Sequence, residues 1–477
     1  MSISIIRRKM LKTAGSTLLA AGLPSGVKAA DRPTAVVIGA GIAGLSAAYE
    51  LQKGGFSVSV MEKNDYIGGR MRDAWLGPIY TPPHAVGVLN ESREIFSLAE
   101  EVGISHEFSG SSESDSYSVD NGIGVYRASL KFDLASLLKI PGFSDATLKK
   151  LPILQNELAH FKENIDPSQL ATGAEFDTET VNEYFVRVLG RDAASQFMDY
   201  WIDTFLNPWG WSRDKVSSVA VIGWMAHGQP TVTPRAGIGV LTRRLGDLIR
   251  VQTRTTVRYV SPADSKGRHT IHYLTPELEA KTITPDVVIC ATEGKYIPEM
   301  IQGLDSRDLE FFKRIDFNKT VGVSFVLRKN VDPAGMTYTR THPDPHKSQI
   351  WAWYTSPAGT RHPDNPPRLT VHLHRYDENV EKWQRSGQSQ PDYCLPLLKA
   401  IYPNLLESNI VDTVTLGCEQ AAYMPRGYIA QMADVIRRQE SNRRGIYFAG
   451  EYMAGAHTAA ACASGRQVAR TIMKHWS

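Results

Sequence analysis

The residues with the clearest chemical meaning are three glycines and one acid. Gly39-Ala40-Gly41-Ile42-Ala43-Gly44 spells G-x-G-x-x-G, and Glu62 follows eighteen residues after Gly44. In this pattern the first glycine permits a tight turn and the second lets the backbone approach a pyrophosphate. The third lets a helix lie close against a sheet. The first turn of that helix offers unpaired N–H groups and a positive dipole end to phosphates. An acid at the position of Glu62 accepts hydrogen bonds from a ribose diol. The chemistry on offer is dinucleotide binding, and it requires a strand on each side of the turn and helix. Thr34-Ala35-Val36-Val37-Ile38 has the β-branched apolar composition of a buried parallel strand. Leu45-Ser46-Ala47-Ala48-Tyr49-Glu50-Leu51 continues at helical spacing, and Ser57-Val58-Ser59-Val60-Met61 supplies the second strand. Glycine-rich turns alone often bind nothing; both strands and the terminal acid make this one a dinucleotide site.

Other reactive side chains form no recognisable constellation. His457 suits proton transfer, since an unperturbed imidazole titrates at about 6.5; the alternative is a histidine that caps the last helix or bonds a backbone carbonyl. His372 and His374 alternate on a strand-like run, but no further ligand accompanies them, so a metal site is not expected. Cys290, Cys394, Cys418 and Cys462 are scattered without a CxxC pair, which excludes a zinc ribbon, a ferredoxin cluster and a disulfide scaffold. Gly-x-Ser-x-Gly, P-loop and HExxH motifs are absent.

A chain of 477 residues, 42% hydrophobic and 22% charged, has room for two or three globular cores. No apolar run reaches the roughly 18 residues of a spanning helix. Residues 1–30 hold Arg7, Arg8, Lys9, Lys12 and Lys28 and no acid. Without them the formal charge falls from +3 to −2, which leaves no electrostatic case for a nucleic-acid partner. That leader has a charged head, the weakly apolar stretch Thr17–Leu23 and small residues at Val27–Ala30, the order of a signal peptide. Its paired arginines resemble the twin-arginine export signal, which implies the export machinery as a partner and a periplasmic destination. A disordered basic tail on a cytoplasmic protein is the alternative.

Directly after the second strand comes Glu62-Lys63-Asn64-Asp65-Tyr66-Ile67-Gly68-Gly69-Arg70. Near the other end, Gly445-Ile446-Tyr447-Phe448-Ala449-Gly450-Glu451 precedes a small-residue helix from Ala459 to Gly465. Together with the glycine fingerprint, these segments resemble the flavin amine oxidase superfamily, which includes monoamine oxidases, protoporphyrinogen oxidases and carotenoid desaturases. Pro234–Leu241, the strand through Val257, Asp286–Thr292 and Tyr423-Met424-Pro425-Arg426-Gly427 match weaker family segments in the same order. The resemblance implies an α/β architecture: a discontinuous, Rossmann-like FAD-binding domain from residues 31–90, 226–304 and 431–477. An inserted α+β substrate domain takes 91–225 and 305–430. It implies FAD contacts from Gly39, Gly41, Ala43, Gly44, Glu62, Lys63, Gly69, Arg70, Val257, Gly450 and Glu451. Arg70 is expected at the pyrophosphate, Val257 at the adenine and Glu451 at the ribityl chain.

The family pattern breaks in three places. Where amine-oxidising members carry a lysine that reaches flavin N5 through water, this chain has Gly322; Lys319 is nearby but needs a register change. The position of a covalent cysteine is Glu419, with Cys418 one residue away, so non-covalent FAD is expected. The aromatic that frames amine substrates is replaced by His457. In the inserted domain, Thr178 is expected to cap a helix with Val181, Tyr184, Phe185, Val188 and Leu189 on one face. Trp201, Phe205, Trp209, Trp211, Trp224, Trp351, Trp353 and Tyr354 make this domain rich in aromatics. The leading expectation is an FAD-dependent oxidase or dehydrogenase taking hydride from a C–N or C–C bond of an apolar or ring-containing small molecule. Oxygen or a quinone would accept the electrons. A flavin-dependent isomerase or desaturase, or a non-catalytic flavoprotein, are the alternatives.

Overall fold

The computed structural model describes residues 32–73, 75–76, 79–80, 88–89, 92–108, 113–114, 116–120, 123, 125–129, 134–206, 210–227, 231–232, 234–329, 331, 337–340, 350–355, 366–373, 378–441 and 443–476. The leader, Trp209 and His374 lie outside this set.

Strand β1 (Thr34–Ile38) leads through the glycine turn into helix α1 (Ile42–Lys53) and strand β2 (Ser57–Met61). Helix α2 spans Arg93–Glu101, and β3 (Val251–Gln252), β4 (Val287–Cys290) and β5 (Ile446–Phe448) complete one sheet. Its order is β3-β2-β1-β4-β5, all parallel, so strands from opposite ends of the chain share one layer. β4 and β5 are buried at every position, as a sheet covered on both faces demands. The last helix, α3 (Thr458–Trp476), packs along α1.

Small residues set the spacing of these layers. A Cβ on Gly44 would stand 2.0 Å from the Gly39 carbonyl oxygen, and one on Gly465 would stand 2.1 Å from that of Ala43. Neither neighbour can yield, because both are backbone. In the same seam Ser46 bonds the Cys462 carbonyl at 3.3 Å. Arg466, 4% exposed, reaches Glu50 at 2.6 Å, Glu94 at 3.1 Å and Glu101 at 2.6 Å. Three carboxylates around one buried guanidinium lock α2 onto α1 and α3, and the apolar side agrees: Ile95, Leu98, Ala99, Val102, Ile104 and Phe108 join the core of β1 and α1. The boundary expected at residue 90 is therefore misplaced. The chain continues in the dinucleotide layer to about Phe108, because the acids and the apolar face of α2 have their partners there.

The inserted region carries a seven-stranded sheet in the order 410–422, 317–327, 368–373, 350–355, 337–340, 116–120, 125–129, antiparallel except between 337–340 and 116–120. Val323, Phe325, Leu327, Leu369, Val371 and Leu373 alternate onto one face and form a core with Cys394 and Leu398 of the helix Gln390–Ile401. Helices between 134 and 227 bury a second apolar mass that includes Tyr184, Phe197 and Trp201. Its helix Val181–Leu189 buries Val181, Tyr184, Phe185 and Leu189 on one face, as expected, but its cap is Thr180 and not Thr178. The Thr180 hydroxyl accepts from Glu183 N at 3.2 Å while the Glu183 carboxylate accepts from Thr180 N at 2.8 Å. Only Thr180 has a glutamate three residues on, and that reciprocal pair decides between the two threonines.

Replacing Thr180 with Ala is expected to lower unfolding free energy by about 1 kcal/mol. The same change at Thr178 should stay within about 0.5 kcal/mol. Denaturant midpoints measure both, and equal shifts would move the cap elsewhere.

Candidate functional site

The sheet's carboxyl ends at β1 and β4 open a crevice, and the expected cofactor residues gather along it. Gly39 has φ +105°, and a Cβ there would lie 2.8 Å from the Ala291 carbonyl oxygen; the left-handed turn and the close approach both require glycine. Gly41, the residue before α1, meets nothing within 4 Å of where its Cβ would stand, and no side chain caps the helix. Its α-carbon face and the first helical N–H groups, Ala43 included, are thus open to a phosphate chain. The second glycine element lies against the first: Gly41 and Gly68 form a parallel bridge, Gly68 N donates to Ala40 O at 2.8 Å, and Gly69 (φ +56°) follows.

Glu62 is buried at the end of β2. One carboxylate oxygen accepts from Ala40 N at 2.9 Å and the other from Asn64 N at 2.8 Å and Asn64 Nδ2 at 2.7 Å. The acid is thereby fixed against the glycine turn at the adenosine end. Thr255 N donates to Glu62 O at 2.8 Å and Arg254 N to Asn64 O at 2.9 Å, which brings the strand carrying Val257 to the same end. Lys63 is exposed, with its ammonium 5.4 Å from the Tyr296 ring centre.

At the far end of the crevice the C-terminal segment meets the Gly-Gly-Arg turn. Arg70 Nη1 contacts Glu451 Oε1 at 2.5 Å, across 381 residues of sequence, and Ala422 N donates to the same oxygen at 3.0 Å. Burial pushes the Glu451 carboxyl above its ordinary value, while Arg70 pulls it down. Gly450 N donates to Ser464 Oγ at 3.1 Å, which ties the Ala-Gly-Glu turn to α3. Two clamps were not read from sequence. Asp73 accepts from Gly239 N at 3.0 Å and pairs with Arg243, and Thr242 Oγ1 donates to Met71 O at 2.9 Å. Neither residue stands in a motif; only the three-dimensional turn pairs them.

The two catalytic candidates fare differently. His457 lies just before α3, with Nδ1 accepting from Ala460 N at 3.2 Å and Nε2 against the Pro167 carbonyl at 2.8 Å. An accepting Nδ1 assigns the proton to Nε2, so the neutral ring both caps the helix and bonds a carbonyl. Burial lowers its pKa, and neither nitrogen is left to exchange a proton with substrate. The backbone of Lys319 pairs with Glu419 on a ladder that runs without a shift from 319 to 326, and Gly322 pairs with Leu416 and His372. Three residues apart on a regular strand are on opposite faces, so position 319 shares a face with Val323 and not with Gly322. The side chains of Lys319, His372, Cys418 and Glu419 lie outside the described residues, and no group of three or more metal-ligating side chains occurs among those described.

Open backbone at Gly41, a fixed acid at one end and a buried acid paired with a half-buried arginine at the other fit an extended dinucleotide. Residues 42–473 match the model of the family described as flavin containing amine oxidoreductase. The chain is 26% identical over 181 residues to protoporphyrinogen oxidase 2, chloroplastic/mitochondrial, of Arabidopsis thaliana, covering 38% of this chain and 33% of that protein. It is 45% identical over 65 residues to 1-hydroxycarotenoid 3,4-desaturase of Flavobacterium sp. (strain P99-3), covering 12% and 13%. The chain therefore spans a third or less of the length of these two relatives. Wild-type putrescine oxidase bound to putrescine superposes with a TM-score of 0.68 at 16% identity, over 93% of this chain and 99% of that one, a likeness of fold.

A neutral, half-buried His457 has a consequence for pH. Its folded-state pKa lies below the ordinary 6.5, so its stabilisation is present above that value and is lost as pH falls through the folded pKa. His457→Gln should therefore flatten the decline of melting temperature below about pH 6.5. An unchanged slope would assign that acid sensitivity to other groups. On the matched family and the geometry that carries it, the chain belongs to the flavin containing amine oxidoreductases, and its cofactor is FAD.

Proposed function

We propose that the protein is an FAD-dependent oxidase or dehydrogenase that takes hydride from a C–N or C–C bond of a small organic substrate with apolar or ring surface. The observation that carries this reading is the convergence of Glu62, Arg70 and Glu451 on one crevice from opposite ends of the chain. When bound, FAD supplies the hydride acceptor. The chain's own part is positional. Glu62 orients the adenosine end, Arg70 neutralises phosphate charge, and Glu451 holds the ribityl end beside the small residues of α3. Trp201, stacked on Phe197 at 5.3 Å, lies inside the helical core of the inserted domain and gives that domain a rigid apolar body. Gly322, in place of a lysine, favours a C–C bond over an amine, which keeps an isomerase or desaturase as the second reading. We further propose that FAD is held non-covalently, that the acceptor is oxygen or a quinone, and that the leader directs export to the periplasm.

Mixing the yellow holoenzyme anaerobically with amines, tetrapyrrole precursors and polyenes tests the activity. Bleaching of the flavin absorbance by one class is the expected result; peroxide on readmitting air identifies oxygen, and reoxidation only by quinone identifies the other acceptor. Product without reduced flavin would favour the isomerase, and no bleaching by any class would sink the enzyme reading. The leader has its own test. Changing Arg7 and Arg8 to Lys should leave folded, flavin-loaded protein in the cytoplasm, because an export receptor reads the arginine pair; undiminished periplasmic delivery would refute that reading.

A further inference from the structure

The turn after β4 carries a charged pair, Glu293 and Lys295, that the cofactor residues described so far do not include. This turn is part of the crevice wall. Ala291 O stands 2.8 Å from where a Gly39 Cβ would be, and Ala291 Cβ stands 3.2 Å from that of Gly44. The chain then enters the short helical turn Gly294–Tyr296. There the Lys295 ammonium lies 5.3 Å from the centre of the Phe317 ring and 4.9 Å from that of Tyr296. The Arg70 guanidinium also lies 5.3 Å from the Phe317 centre. One fully buried aromatic ring therefore carries both cations, Lys295 and the arginine of the Gly-Gly-Arg turn.

The charge balance shows what the second cation is for. Arg70 is already matched at 2.5 Å by Glu451, whereas Lys295 meets Glu293 at a looser 3.5 Å. Lys63, over the other neighbour ring of Tyr296, is exposed. Glu293 is close enough to Glu451 to raise its pKa further, so the two acids bear on one another across this site. FAD brings a pyrophosphate with two negative charges into this crevice, and buried charge must be paired. A single arginine shared with Glu451 cannot neutralise both.

We infer that Lys295 is a further cofactor-anchoring residue, the second cation that Arg70 needs against the FAD pyrophosphate, with Glu293 as its tether. The inference rests on the FAD site described above. A merely structural lysine would brace the 293–296 turn through Glu293, and the two roles differ in sign. As a brace, Glu293→Gln and Lys295→Met both loosen the turn and both release FAD. As an anchor, Lys295→Met releases FAD, while Glu293→Gln removes a competing carboxylate and retains FAD at least as well as the parent chain.

FAD release from purified holoenzyme, followed by flavin fluorescence against increasing NaCl, reads this out. Lys295→Met is expected to raise the FAD dissociation constant about 10-fold, the loss of roughly 1.4 kcal/mol, and to weaken its salt dependence because one phosphate contact is gone. Lys295→Arg should restore retention. Glu62→Ala, at the adenosine end, serves as the reference. If it loosens FAD while Lys295→Met does not, the inference falls and the cofactor site stands; if neither does, the placement of FAD itself fails. Should Lys295→Met not fold, the sign of the Glu293→Gln effect still decides, since weaker FAD retention in that variant overturns the anchor.

Discussion

A carboxylate taken out of water must be paired, and the protein meets that demand at Glu451 with groups from three distant parts of the chain. Arg70 arrives from the turn after β2, Ala422 N from the last strand of the inserted sheet, and Glu451 itself from the turn after β5. An unpaired buried carboxylate would favour its protonated form, as the upward pull of burial on this group already shows. Pairing it requires the N-terminal segment, the inserted domain and the C-terminal segment to be docked at once. The same requirement docks Arg70 and Glu451 against one another, so the residues that close the fold are the ones proposed to hold the cofactor.

Steric constraint does for the helices what charge does for the crevice. Gly44 and Gly465 let α1 sit against the glycine turn on one side and α3 on the other, with backbone carbonyls where side-chain atoms would otherwise be. Close packing of this kind tolerates no added methylene. It also brings Glu50 and Arg466 into a seam from which α2 cannot be separated without taking two of its three carboxylates from Arg466. The glycine turn is positioned by packing over residues that touch no nucleotide.

What was legible in the sequence was whatever rests on local chemistry. The β1–turn–α1–β2 unit, the acids at 62 and 451 and the second glycine turn each announce themselves within a few residues. The attachment of α2 was not legible, because its partner Arg466 is 365 residues from Glu101 and an amphipathic helix looks alike whichever core it faces. The Thr178–Thr180 choice was decidable: a capping box needs an acid three residues on, and Val181 stands where Thr178 would need one. Asp73 and Arg243 gave no signal, since an acid and a base far apart in sequence resemble any two surface charges until the turn pairs them.

His457 shows why acid–base residues are harder to read than binding residues. A histidine that exchanges a proton and one whose two nitrogens serve backbone groups are the same letter; only the Pro167 carbonyl and the Ala460 N–H tell them apart. A glycine turn flanked by two strands and a terminal acid is less ambiguous, because its spacing already specifies its conformation. In a flavoprotein this asymmetry matters less than it would in a hydrolase, since the isoalloxazine takes the hydride and the protein need only hold, dry and polarise it. The absence of a lysine at Gly322 then removes one amine-linked device without removing the chemistry. What the chain must supply is geometry, and that is written mainly in its glycines, its buried charges and the strands that align them.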